Sequence, residues 1–435
     1  MSKLLNDNSR CNVKGLFSVS PMLFFILLFI FIFLLTGNIY KISLSVVFTI
    51  SSVYALYTLK NRSITERIKV FSRGAGQENL MLMLWIFVLA GAFAQTAKDI
   101  GAIDAVVRVA LHFLPSHLIL AGLFVTACFV SLSIGTSVGT VAALVPIATG
   151  IATSTGQPTA MLVAAVVGGA FFGDNLSFIS DTTIASTKTQ GCELKDKFKA
   201  NFLIVLPAAI ITVIIYIFTN SQSQYSTEIT AIDYIKMLPY IIILVSAICG
   251  MNVFVVLAVG NLLSGITGMA LGVCNMEDWF VSAGNGIMSM GELIIISMLA
   301  GGMLEVIREN GGIEYIINKL SNHIHSKRGG ELIIGAMVGI TNLCTANNTI
   351  AILSVGKIAK SISTRFGINP CKAASILDTF SCVVQGLIPY GAQFLIASGL
   401  SHVQPTNILP YIYYPVIVGI TAIIGIIIRY PKKYS

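Results

Sequence analysis

The residues best suited to ion chemistry in this 435-residue chain are aspartates inside long apolar segments. Asp174 and Asp181 fall in GDNLSFISDTT (173–183), and Asp378 falls in LDTFSCVVQG (377–386). Acidic side chains within membrane spans are rare and mark ion pathways. A carboxylate beside hydroxyl groups and free carbonyls offers hard oxygen ligands to an alkali cation, and burial lets a proton compete for the same group. The alternative is that these aspartates cap half-helices.

Four polar breaks in apolar segments supply the other candidates. Such breaks cost free energy in hydrocarbon unless they line a cavity, although hydroxyl groups and small residues can also serve close helix packing. The two further breaks are SLSIGTSVGT (131–140) and TNLCTANNT (341–349). The predicted ion- or substrate-binding residues are Asp174, Asn175, Ser177, Ser180, Asp181, Thr182, Thr183, Thr136, Ser137, Asn347, Asn348, Thr349, Asp378, Ser381 and Gln385. Those predicted to bind a monovalent cation such as Na⁺ directly are Asp174, Asp181, Asn347 and Asp378.

The composition excludes a soluble protein. Hydrophobic residues make up 55% of the chain and charged residues 11%, against about 25% charged residues in soluble domains. Mean hydropathy is +0.85. The eight cysteines form no CxxC pair and have no histidine cluster beside them, so we expect neither a disulfide framework nor a zinc site. No cofactor is predicted.

The apolar runs predict an all-α polytopic membrane protein with about 10–12 membrane segments. The first run follows three basic residues but lacks a cleavage site, so we expect a retained span rather than a signal peptide. The run 237–274 is long enough for two helices meeting near Cys249–Asn252. The runs lie at about 21–37, 42–59, 80–97, 117–153, 159–187, 201–219, 237–274, 288–307, 331–356, 372–400 and 410–428.

The basic residues orient these segments by the positive-inside rule. With both termini cytoplasmic, and with runs 117–153 and 331–356 as re-entrant hairpins, all but four of the 27 Lys and Arg residues fall on the cytoplasmic side. Lys197 and Lys372 are among those assigned to cytoplasmic segments. The outer segments keep Lys41, Lys98, Arg108 and Lys236. The net charge of +8 therefore indicates topology in a plasma or inner membrane and not a nucleic-acid partner.

The two halves of the chain resemble each other. Residues 88–104 lie over 298–314 at an offset of 210, with charged as well as apolar positions matched. After a gap of about six residues, Asp174 matches Asp378 and Ser177 matches Ser381. Chance similarity between apolar segments is the alternative. Because the charge bias puts one hairpin outside and the other inside, the sequence predicts an inverted-repeat transporter with two re-entrant hairpins and two broken helices.

The predicted organisation has six parts. They are a cytoplasmic N-terminus (1–20); two spans and a basic loop (21–77); the first repeat (78–219, hairpin 117–153, broken helix 159–187); connecting spans (220–287); the second repeat (288–428, hairpin 331–356, broken helix 372–400); and a cytoplasmic C-terminus (429–435).

The segment GGAFFGDNLSFISDTTIAST (168–187) resembles the signature of NhaC-type Na⁺/H⁺ antiporters, within the ion transporter superfamily. The similarity covers most of residues 78–428. It implies an inverted-repeat fold and cation/proton exchange, with the family's conserved polar positions at Asp174, Ser177, Ser180, Asp181, Thr182 and Thr183. The chain departs from many relatives at Asn175 and Phe178. The segment TANNT is similar to relatives associated with amino acids, and other members exchange malate for lactate.

Two transport functions follow, both secondary active. The first is exchange of cytoplasmic Na⁺ for external H⁺, favoured because no intramembrane Lys or Arg is evident to hold an organic anion. The alternative is an amino-acid or carboxylate carrier coupled to Na⁺ or H⁺, with Asn347 and Asn348 at the substrate. An intramembrane protease is disfavoured, since Asp174 and Asp181 share one segment, and the chain is not expected to be an enzyme. The expected partners are the lipid bilayer, a monovalent cation and a proton, with a homodimer left open.

Overall fold

The described part of the chain is mostly helical. The computed structural model describes residues 2–36, 44–60, 62–113, 115–178, 180–219, 234–249, 251–321 and 326–434. Within these residues there are twenty-one α-helices and no strand. The all-α prediction is therefore confirmed. Lys41, which the sequence analysis assigned to an outer segment, lies outside the described residues.

The helices of the N-terminal half are α1 (Ser2–Thr36), α2 (Leu44–Thr58), α3 (Ile64–Ala75), α4 (Glu78–Asp99), α5 (Ala102–Phe113), α6 (Ile119–Ile134), α7 (Ser137–Thr155), α8 (Thr159–Leu176), α9 (Asp181–Gln190) and α10 (Leu194–Thr219). Those of the C-terminal half are α11 (Leu238–Ile248), α12 (Val253–Ala270), α13 (Met276–Ser289), α14 (Gly291–Glu309), α15 (Gly312–Ser321), α16 (Lys327–Thr345), α17 (Asn348–Phe366), α18 (Pro370–Gln385), α19 (Ala392–Ser401), α20 (Pro405–Ile408) and α21 (Tyr413–Ile427).

Many of these helices can cross a bilayer. Among the described residues, six helical stretches are long and apolar enough to do so, and a pair bent by 53° makes up to seven. Four shorter apolar helices accompany them. A multi-pass membrane protein is thus confirmed, and the figure of 10–12 segments stays a prediction. The division of run 237–274 is as expected, because α11 ends at Ile248 and α12 begins at Val253.

Helix ends fall inside all four polar breaks. Hairpin 1 (α6 and α7) turns between Ile134 and Ser137, and hairpin 2 (α16 and α17) turns between Thr345 and Asn348. Broken helix 1 (α8 and α9) is interrupted at 177–180, and broken helix 2 (α18 and α19) at 386–391. These interruptions free backbone groups, which must find partners within the protein.

The packing partners of the two halves correspond. Helix α6 packs on α8 as α16 packs on α18, and α9 packs on α17 as α19 packs on α7. In the same way, α3 packs on α14 as α13 packs on α4. Each broken helix thus lies against its own hairpin and extends its second half onto the other hairpin.

The correspondence keeps one register, which corrects part of the sequence alignment. The left-handed turn residues of the two hairpins are Gly135 and Ala346, 211 positions apart. The hydrogen bonds from hairpin to broken helix keep that offset: the Ser131 hydroxyl donates to the Ala170 carbonyl, and the Asn342 amide donates to the Ser381 carbonyl.

The gap of about six residues is therefore not needed, because the offset changes only from 210 to 211. The match of Asp174 with Asp378, and of Ser177 with Ser381, is wrong. Gln385 holds the position equivalent to Asp174, and Asp378 lies about two turns earlier in α18. The similarity of short apolar stretches cannot fix a register, whereas hydrogen-bonded turns can.

Glycine sets the contact between α6 and α8. A Cβ atom on Gly169 would lie 2.5 Å from the Phe124 carbonyl oxygen and 2.7 Å from Ala127 Cβ. Both neighbours are rigid parts of α6. The two helix backbones can approach this closely only because position 169 has no side chain.

We expect Gly169→Ala to destabilise the protein by about 1–3 kcal/mol, because α6 must move away from α8. The measurement is the thermal unfolding midpoint of the purified full-length protein in detergent. The control is Gly284→Ala, where an added Cβ atom meets nothing within 4 Å. Equal midpoints for both variants would contradict the close-packing role.

Candidate functional site

A cavity of about 630 Å³ lies where the two hairpin turns and the two helix breaks meet. Ten of the fifteen predicted residues line it, namely Thr136, Ser137, Asp174, Ser180, Asp181, Thr182, Asn347, Asn348, Thr349 and Gln385. Residues about 200 positions apart in sequence therefore face one space. The other five predicted residues do not line the cavity and lie deeper in the protein; they are Asn175, Ser177, Thr183, Asp378 and Ser381.

Asp174 is the buried acidic group of the cavity. It is 4% exposed. Its carboxylate accepts hydrogen bonds from the Ser137 hydroxyl and, at 3.0 Å, from the Ser137 backbone N–H. Ser137 begins α7, so the carboxylate lies at the positive end of that helix. Asp174 thus caps a helix, as the alternative interpretation holds, but the helix belongs to hairpin 1 and the carboxylate still lines the cavity.

A chain of amide hydrogen bonds joins the two hairpins through broken helix 2. Gln393 Nε2 donates to Ser137 Oγ at 2.9 Å, and Gln385 Nε2 donates to Gln393 Oε1 at 3.0 Å. Gln385 Nε2 also donates to the Ala346 carbonyl at 3.0 Å. The sequence analysis missed Gln393. The constant offset of 211 would have found it, because Gln393 corresponds to Thr182.

Asp181 has a different environment from Asp174. It is the first residue of α9, and its side chain is exposed on the cavity side. Ser180 and Thr182 flank it, and their hydroxyl groups share a hydrogen bond of 2.9 Å. Asp181 therefore adds negative charge to the cavity while staying in contact with solvent.

The two asparagines at the turn of hairpin 2 also differ. Asn347 Oδ1 accepts from the Ile350 backbone N–H at 3.0 Å and so caps α17. Asn348 is buried, and its amide nitrogen lies 3.9 Å from Cys382 Sγ. The side-chain oxygen of Asn347 thus already accepts a backbone hydrogen bond. The turn that contains both asparagines still lines the cavity.

Most of the predicted residues outside the cavity join helices, whereas the Ser381 hydroxyl bonds within α18. Ser177 Oγ donates to the Leu132 carbonyl, and Thr183 Oγ1 lies within 3.4 Å of the Asp174 carbonyl. Asn175 Nδ2 donates to the Tyr414 hydroxyl, and Ser381 Oγ donates to the Asp378 carbonyl. Their part is to hold the helix ends that form the cavity.

Asp378 forms an ion pair with Lys197, and both side chains are almost fully buried, at 0% and 1% exposed. The sequence analysis assigned Lys197 to a cytoplasmic segment, whereas its side chain is buried in the protein beside Asp378. Lys197 lies at the start of α10, on the face of the helix that packs into the protein, while Lys199 is exposed. A run of alternating lysines does not reveal which one is turned inward. Lys372 is buried too, and its ammonium donates to the Tyr430 carbonyl.

A comparison with known families decides the class of the protein. The model of the Na⁺/H⁺ antiporter family matches residues 12–221 and 223–428. The chain belongs to the Na⁺/H⁺ antiporter family. The predicted NhaC-type relationship is confirmed, and membership of a transporter family also confirms that the chain is not an enzyme.

The relatives of this antiporter are named for different transported ions or molecules. It is 25% identical over 82% of its length to the Na⁺/H⁺ antiporter NhaC of Bacillus subtilis, covering 85% of that protein. It is 26% identical over 59% of its length to NhaC of Alkalihalophilus pseudofirmus, covering 62% of that protein. It is 18% identical over 80% of its length to the malate-2H⁺/Na⁺-lactate antiporter of B. subtilis, covering 82% of that protein.

We expect Ser137→Ala to raise the Na⁺ concentration for half-maximal exchange by roughly tenfold, because a hydrogen bond to a charged group is lost. Exchange in proteoliposomes with a preset pH gradient provides the measurement. Ser133→Ala is the matched control on the same hairpin, since that hydroxyl donates to the Phe129 carbonyl of its own helix. A Ser137→Ala variant with wild-type Na⁺ dependence would remove the hydroxyl from the site.

Proposed function

We propose that this antiporter exchanges cytoplasmic Na⁺ for external H⁺ at the carboxylate of Asp174. The observation that carries the proposal is the position of this group, buried at the cavity between two hairpin turns and two helix breaks. It is held by Ser137 at a helix N-terminus rather than by a basic side chain. Its charge is therefore available to a mobile cation.

Competition for one carboxylate couples the two ions. Na⁺ and H⁺ both bind the ionised carboxylate, so the site holds one ion or the other. Hydroxyl groups of Ser180 and Thr182, which line the same cavity, can supply further oxygen ligands to Na⁺. The exposed carboxylate of Asp181 raises the local concentration of cations.

Alternating access requires that the site open to each side in turn. The cavity extends to Lys188, which the charge distribution assigns to the cytoplasmic side. This supports a cytoplasmic opening in the present state, with both termini in the cytoplasm. The corresponding packing of the two halves supports inverted repeats that rock about Asp174.

Exposed apolar side chains support a lipid-facing surface. Phe129, Phe218 and Met288 are 60%, 73% and 77% exposed. Such residues would be unfavourable in water but are suited to acyl chains. A homodimer stays a prediction.

Asp174→Asn is expected to abolish Na⁺-driven proton movement, because an amide neither ionises nor exchanges a proton. Full-length protein in proteoliposomes is given NaCl, LiCl or KCl, and the collapse of a preset pH gradient is followed. Asp104→Asn, which changes an exposed aspartate, should exchange ions like the wild type. Wild-type exchange by Asp174→Asn, at equal expression, would place the ion site elsewhere.

A second candidate function is coupled transport of an organic anion. It is favoured by the cavity volume of about 630 Å³, which exceeds the need of a bare cation, and by the malate/lactate-exchanging relative. Side-chain amides of Asn348 and Gln393 border this space and can donate hydrogen bonds to a carboxylate.

If the cavity takes an organic anion, malate, lactate or an amino acid should raise the thermal unfolding midpoint of the full-length protein in NaCl. Gln393→Leu should remove this increase, because the amide donor is lost. The control is the same panel with choline chloride in place of NaCl. A midpoint that responds to Na⁺ and to none of the organic compounds would contradict this candidate.

A further inference from the structure

The ammonium group of Lys197 lies in a pocket of oxygen atoms behind the cavity wall. Lys197 Nζ donates to the Asn175 carbonyl at 2.9 Å, to Thr183 Oγ1 at 2.7 Å and to the Asp378 carboxylate. These partners come from the end of α8, the start of α9 and the middle of α18. One side chain from α10 therefore joins both halves of broken helix 1 to broken helix 2.

The three oxygens are of the kinds that a transported Na⁺ takes. The Asn175 carbonyl belongs to the last turn of α8, whose carbonyls lose their helical partners at the break. Such half-helix C-terminal ends carry negative potential and coordinate Na⁺ in transporters with broken helices. A hydroxyl group and a carboxylate complete a set of hard ligands.

Neighbouring side chains hold these oxygens in place. Asn201 Nδ2 donates to the Asn175 carbonyl at 2.8 Å and to Asp378 Oδ2 at 3.1 Å. Asn201 Oδ1 accepts from Ser375 at 2.5 Å and from Thr379 at 3.0 Å. The amide orientation is thus fixed, and the carbonyl and carboxylate keep their positions independently of Lys197.

An ion pair that serves stability alone is a weaker explanation. Two buried charges lose their hydration, and their attraction often fails to offset this cost. An apolar pair would hold α10 against α18 as well. The helix break, in contrast, leaves a carbonyl whose negative potential favours a positive partner.

We propose that the Lys197 ammonium is a tethered cation that fills a second Na⁺-type site, made by the Asn175 carbonyl, Thr183 Oγ1 and the Asp378 carboxylate. Asp174, rather than Asp378, is then the buried carboxylate that is open to a mobile cation. The inference rests on the proposed function for the choice of Na⁺ as the mobile ion. It sets the number of transported Na⁺ ions per cycle at one rather than two.

Lys197→Met tests this directly, because Met keeps an unbranched stem and removes the charge. The full-length protein in detergent is melted in choline chloride and in increasing NaCl. We expect the rise in the unfolding midpoint with NaCl to exceed that of the wild type by ~5 °C or more, since Na⁺ then binds beside Asp378 in the folded state only.

Two further variants identify the ligand. Lys197→Met combined with Asp378→Asn should lose the additional Na⁺ dependence, because the carboxylate is gone. Lys199→Met, which changes an exposed lysine of the same helix, should melt like the wild type in both salts. Bound ²²Na⁺ should rise from one to two ions per chain in Lys197→Met alone.

Other outcomes would overturn the inference. A Lys197→Met variant with wild-type Na⁺ dependence, or one that stays unfolded even in NaCl, means that Na⁺ cannot take the place of the ammonium. Additional Na⁺ dependence that persists in the double variant excludes Asp378 as the ligand. A failure here leaves exchange at Asp174 untouched, because that is tested separately by Asp174→Asn.

Discussion

The rest of the structure depends on how four helix interruptions satisfy their backbone groups inside an apolar protein. Hydrocarbon offers no hydrogen-bond partners, so each freed N–H or carbonyl needs a polar group from another segment. At hairpin 1 the N–H of Ser137 is taken by the Asp174 carboxylate. At broken helix 1 the carbonyl of Asn175 is taken by Lys197 and Asn201. The charged groups of Asp174 and Lys197 therefore lie where helices end.

The same constraint separates two kinds of carboxylate. Asp174 meets neutral donors and a helix N-terminus, so its charge is only partly balanced and a cation or proton can complete it. Asp378 meets an ammonium group, so its charge is balanced within the protein. A pair of acidic residues that look equivalent in sequence thus has two roles, and the difference is decided by whether a lysine reaches the group.

Close contact between helices fixes the position of hairpin 1 relative to the break in broken helix 1. Helices α6 and α8 approach so closely at Gly169 that a Cβ atom would meet the backbone of α6. This contact fixes where the turn of hairpin 1 lies along α8, and hence which residue of α8 faces Ser137. Small residues in this chain therefore position polar groups, although they have no chemistry of their own.

The sequence by itself determined the class of the protein. Composition and apolar run length require membrane helices, since too few charges remain to cover a soluble surface. Polar breaks in those runs correctly predicted where the helices are interrupted, because glycine, serine and asparagine there cannot be left facing lipid. The motif around Asp174 correctly predicted the antiporter family. Ten of the fifteen candidate residues face the cavity because a helix break in an apolar core forces its polar groups toward one another.

Only the tertiary structure decided which residues contact one another. It showed that Gln385 rather than Asp378 corresponds to Asp174, because register follows from hydrogen-bonded turns and not from the similarity of apolar letters. It added Gln393 to the site through a contact with a residue 256 positions away. It also placed Lys197 in the core, since the direction of a side chain depends on the rotation of α10 against α18. Sequence patterns record which residues are polar, whereas the choice of partner depends on how helices distant in the chain pack together.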